Sequence, residues 1–130
     1  MTNTNDDLWP VDLAVEPTDK APLLILREQA AKLGEKTSNI IEGVVTADPN
    51  ADGESLDVRL SIVAPALGGY EYVLLRLVQP PDLYPVSLEF EGKGWVANEE
   101  RGFKQYLGSL FNSARTRKII SNLIAQSKNS

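Results

Sequence analysis

The chain has 130 residues, 42% of them hydrophobic and 24% charged, with a net charge of −5. That suits one self-sufficient globular domain and is too apolar for a disordered chain. Cysteine and histidine are both absent, which excludes disulfides, thiolate nucleophiles, a histidine-based triad and a thiolate or imidazole zinc site.

Residues 1–17 are polar and acidic and hold Pro10 and Pro17. They predict an N-terminal arm with little structure of its own, followed by a single α+β domain over 18–130. The opening MTNTNDDLWP has neither a basic nor an apolar leader region, so no secretory signal is expected. No run approaches the roughly 18 apolar residues of a membrane span. The expected location is cytoplasmic, with no membrane partner. Leu8, Trp9, Val11, Leu13 and Val15 are apolar nonetheless. Two readings stay open for them: they cover an edge of the domain, or they form a docking segment for a partner.

From Asp19 to about Lys36 the pattern is helical. Asp19 is the expected N-cap, Pro22 is tolerated in the first turn, and Gly34 marks the expected end. Leu23, Leu26, Ala30 and Leu33 form one apolar stripe. Four strand-like runs follow. Ile40 to Ala47 is rich in β-branched residues, and the "ADPNADGES" segment after it reads as a hairpin turn. Leu56 to Ala64 alternates, with Leu56, Val58, Leu60 and Ile62 on one face and Asp57, Arg59 and Ser61 on the other. After Gly68-Gly69, Tyr70 to Val78 is apolar on both faces apart from Glu71 and Arg76, as a central strand requires. Val86, Leu88 and Phe90 then alternate with Ser87, Glu89 and Glu91.

The segment "EGKGW" reads as another turn. Phe103, Tyr106, Leu107, Leu110 and Phe111 fall at helical spacing. Asn112 or Ser113 breaks that helix and caps the next, whose stripe is Ile119, Ile120, Leu123 and Ile124. The expected fold is therefore an N-terminal helix, a four-stranded antiparallel meander and two C-terminal helices that cover the sheet.

The stretch "LVQPPDLYP" joins the third and fourth strand runs. Pro85 pre-sets its own φ and biases Tyr84 toward extended backbone, so the chain leaves this loop ready to pair. The Tyr84 ring is expected against the end of the sheet, with its hydroxyl on a backbone partner or water. A direct binding role for Tyr84 is the alternative. With Tyr84-Pro85 at this junction, the element order resembles the ubiquitin-conjugating-enzyme-like superfamily, and within it the non-catalytic RWD domains. Glu89 stands where those domains usually carry a second proline, and the catalytic cysteine is absent. The resemblance thus implies a protein-interaction module without thioester chemistry. The segments "ILREQAAKLGEKTSNIIEG" and "ARTRKIISNLIAQS" are also similar to a family of small bacterial proteins, a likeness that implies no activity.

No catalytic residues, cofactor or metal ligands are predicted. "DPNADGESLD" has carboxylates but not the spacing of a calcium loop. Glu99 and Glu100 suit a helix N-terminus. Gly92-Lys93-Gly94 lacks the pattern of a phosphate loop. The candidates for binding a partner are Tyr84, Trp95, Arg115, Arg117 and Lys118. Trp95 reads equally as an exposed anchor or as a plug closing one end of the core. Arg115, Arg117 and Lys118 read as a solvated face or as a patch for an acidic partner; no aromatic is interleaved, so no nucleic acid is expected. The expected function is a non-enzymatic protein–protein interaction module, monomeric or homodimeric. The alternative is a small acidic chaperone or immunity-type protein that holds a basic or aggregation-prone client. A carboxylate-based hydrolase finds no support in the spacing.

Overall fold

The computed structural model describes residues 6–130; the first five residues of the expected arm lie outside the described residues. Three helices and a five-stranded sheet make up the domain among the described residues: α1 (Pro22–Lys36), β1 (Glu42–Pro49), β2 (Leu56–Ala64), β3 (Tyr70–Gln79), β4 (Val86–Phe90), β5 (Lys93–Ala97), α2 (Glu100–Phe111) and α3 (Ala114–Lys128). The sheet is a plain antiparallel meander in the order β1-β2-β3-β4-β5. The α+β class is as expected, and β3 is the central strand. Among the described residues no helix is long and apolar enough to cross a membrane.

The strand count differs from expectation by one. Only Glu91 and Gly92 form the turn after β4, at φ of 52° and 77°. Lys93–Ala97 then pairs along the whole of β4, from Val86↔Ala97 to Phe90↔Lys93. Two consecutive positive-φ residues match the twist of a tight hairpin, and Gly in the second place makes it cheap. With Gly94 in its middle, β5 shows weak hydrophobic alternation, so its pattern reads as a turn until the pairing is seen.

The start of α1 also moves. Ala21, not Asp19, is the N-cap, in extended conformation, and Pro22 is the first helical residue. Proline disfavours helical backbone in the residue before it and suits the first helical position, so it sets the boundary itself. No side chain of the helix's own N-cap serves the first turn. Instead the Leu23 N–H donates to Oε1 of Gln79 at 2.9 Å, a buried amide at the end of β3. Gly34 does not end the helix. It lies inside the last turn, where a Cβ would meet Oδ1 of Asn39 at 3.0 Å. The chain turns away through Ser38 and Asn39, both at positive φ.

The core lies between the sheet and the helices. Ile25 and Leu26 of α1, Val58, Leu60 and Ile62 of β2, Leu75 and Leu77 of β3, Val86 and Leu88 of β4, and Phe103 and Leu107 of α2 are all buried. A bulge opposite Leu60 and Ser61 leaves Leu74 unpaired on β3 and lets Leu74 and Leu75 both be buried. Ser61, expected to face out, is buried as well. Its cross-strand partners are Val44 and Val73, and so short a side chain is overtopped by such neighbours. Ser113 caps α3, its hydroxyl accepting from the Thr116 N–H at 3.2 Å.

Candidate functional site

Tyr84 sits where four segments meet. Its ring packs edge-on to Phe103 of α2, with centroids 6.5 Å apart. Its hydroxyl donates to the Lys20 carbonyl at 2.8 Å. The Lys20 N–H donates to Oε1 of Glu100 at 2.7 Å, and the Lys20 ammonium reaches Glu28 at 2.9 Å. Partial burial, with Glu100 and Asp19 nearby, pushes the Tyr84 phenol up to about 12. Glu100 is held below the ordinary carboxylate value, first by Lys104 and then by the Lys20 N–H. This cluster ties the root of the arm to α2, and Tyr84 acts here as a structural fastener. The Tyr84–Pro85 peptide bond is cis.

Trp95 is half-buried on β5, opposite Leu88. Its ring is tilted against Tyr106 of α2, with centroids 6.4 Å apart. It closes the β5 end of the core. Arg115, Arg117 and Lys118 are exposed on the first turns of α3. Arg115 alone leans toward a carboxylate, Glu91 at 3.9 Å. Tyr84 thus lies at the arm's root against Phe103 of α2, Trp95 against Tyr106 of the same helix, and the basic residues on the first turns of α3.

The carboxylates of the first hairpin hold the loop itself. Asp52 accepts from the Glu54 and Ser55 N–H groups at 2.8 and 3.0 Å and from the Ser55 hydroxyl at 2.7 Å. The Ser55 and Glu54 amides lower its pKa from the ordinary 3.8. Among the described residues no cluster of three or more Asp and Glu side chains is placed to hold a metal ion.

Among the described residues two apolar surfaces stand out. The first is the arm. Leu8, Trp9, Val11, Leu13 and Val15 are each at least 63% exposed, so they do not cover an edge of the domain. The second is a groove of about 300 Å³ between α1 and α3. Leu60, Ile62 and Leu74 floor it, and Ala30 and Leu33 form one wall. Phe111, Thr116 and Ile120 form the other, and Gln29, Lys32, Lys36 and Asn112 complete its lining. The volume is at the lower limit of about 300 Å³ for ligand pockets, room for a few apolar side chains. The Lys32/Lys36 pair, four apart on a helix, was the one legible signal for this groove; its floor comes from strands distant in sequence.

In comparison with known proteins, no family model, no curated protein and no solved structure matches this chain.

Proposed function

We propose that the chain is a non-enzymatic, cytoplasmic protein–protein interaction module. The observation that carries this reading is the arm: five large apolar side chains exposed within eight residues, in a domain with a well-filled core. Contiguous exposed apolar surface of this kind is costly in water and marks a surface that another molecule covers. The RWD-like reading of the meander and its Tyr84-Pro85 junction favours the same class. The groove between α1 and α3 lends weight to a second reading, a small chaperone. Its lysines turn the expected client around, since Lys32 and Lys36 suit an acidic segment rather than a basic one.

The test is affinity capture from the native lysate at low and high salt, with the full chain as bait. The control bait is the full chain carrying Trp9→Ala and Leu13→Ala. A stoichiometric partner held by the first and lost by the second, at equal melting temperature, supports the reading. Equal capture by both removes the arm from it. No partner at either salt overturns it.

A further inference from the structure

We infer that the groove between α1 and α3 receives the apolar–acidic arm of a second copy of this chain. The inference rests on the reading of the arm as a docking segment and goes further, by naming its receptor.

The two surfaces are complementary in chemistry. Between Asp6 and Glu16 the arm carries Asp6, Asp7, Asp12 and Glu16 and no basic residue. The groove is lined by apolar side chains with Lys32 and Lys36 beside them, and by no acidic residue. In a chain of net charge −5, that is a local reversal of sign, and it matches the arm. The N-terminus of α3 lies at the same groove through Thr116 and adds a favourable field for carboxylates. The spacing also fits. Trp9, Val11, Leu13 and Val15 are two apart; residues 11–14 form a turn in the free arm, and an arm drawn out of that turn on docking presents them on one side and Asp12 and Glu16 on the other.

The structure leaves the groove to a second copy. The chain's own arm does not occupy it: Leu8, Trp9, Val11, Leu13 and Val15 are each at least 63% exposed, and none of them lines the groove. The arm leaves the domain at Lys20, pinned to Tyr84, Glu100 and Glu28. A twofold exchange covers two arms and two grooves at once.

The absence of cysteine makes a direct test clean. Two full-length proteins are prepared, one with Val11→Cys and one with Lys36→Cys, mixed, and oxidised mildly. The expected product is a mixed disulfide dimer in excess over either homodimer. Sedimentation equilibrium of the unmodified chain should show a monomer–dimer transition. Trp9→Ala with Leu13→Ala, and separately Lys32→Glu with Lys36→Glu, should each move its midpoint at least tenfold upward in concentration. Adding Asp12→Lys and Glu16→Lys to the lysine variant should restore it. A monomer at all concentrations overturns the inference. So does a crosslink confined to single chains when Val11→Cys and Lys36→Cys are combined in one chain. If a foreign partner still depends on the arm while self-association is absent, the receptor assignment fails and the interaction module stands.

Discussion

Gly43 of β1 lies flat against Ala30 of α1, so close that a Cβ on the glycine would fall 2.6 Å from the Ala30 Cα. The contact sets how near the first helix approaches the edge strand, and Ala30 also lines the groove. Backbone cannot yield to such an overlap without moving the helix. Gly43→Ala should therefore cost at least about 1–3 kcal/mol, as overpacking does. Gly94→Ala is the control, because its Cβ would meet nothing nearer than the Leu88 carbonyl at 3.7 Å; a change within about 0.5 kcal/mol is expected there. Urea unfolding of both variants decides the matter, and equal midpoints would refute the close-approach account.

Tyr84→Phe removes one hydrogen bond, to the Lys20 carbonyl, and should cost about 0.5–1.5 kcal/mol. Tyr84→Ala also removes the ring from Phe103 and should cost roughly 2–4 kcal/mol. Thermal melts of the two variants should fall in that order. A Tyr84→Ala protein as stable as the parent would return Tyr84 to the list of binding residues.

The same hydroxyl predicts an alkaline limit. Burial raises the Tyr84 pKa in the folded chain from 10.0 to about 12. A raised pKa means that the folded state holds the proton longer. The stabilisation is complete below pH 10.0 and is lost as the pH rises toward about 12. Melting temperatures measured across that window should fall more steeply for the parent than for Tyr84→Phe. Parallel curves would show that the phenol is not linked to folding.

In the first hairpin the sign is opposite. Asp52 is stabilised as a carboxylate by the Ser55 and Glu54 amides, so its contribution is present above 3.8 and fades as the pH falls through its lowered folded value. Asp52→Asn should speed amide exchange at Glu54 and Ser55 at neutral pH, with little further change on acidification. In the parent, the same amides should lose protection only in acid.

Ser113→Ala removes the cap of α3 and should cost about 1 kcal/mol. Arg117→Ala and Lys118→Ala, both on the exposed face of that helix, should stay within about 0.5 kcal/mol of the parent. Denaturation of the three variants separates cap from surface. A large loss at Arg117 or Lys118 would mean that the basic patch is structural.

The periodic elements were legible in the sequence because burial leaves a period. Phe103, Leu107 and Leu110 recur at helical spacing and are buried; Val86, Leu88 and Phe90 alternate and are buried. A backbone partner for the Tyr84 hydroxyl was legible too and is found in the Lys20 carbonyl; the ring, expected against the end of the sheet, meets Phe103 of α2 instead, a contact no local pattern records. β5 was hidden because Lys93 and Gly94 carry no hydrophobic signal, and only pairing with β4 makes that stretch a strand. The cap of α1 was hidden because its partner, Gln79, is 56 positions away.

Composition by itself determined much of the chemistry: without cysteine or histidine, no amount of folding supplies a thiolate or an imidazole. Local pattern determined most of the residues that face inward, because side-chain periodicity is a property of the helix and the strand alone; Ser61 and Leu74, beside the bulge, are the exceptions. Only the tertiary structure decided where those elements leave surface uncovered. The groove exists because α1 and α3 stand apart over β2 and β3, and the arm, clamped at its root by Lys20, packs its apolar side chains on nothing in the domain. Both facts depend on contacts between residues far apart in the chain, and no local pattern records those.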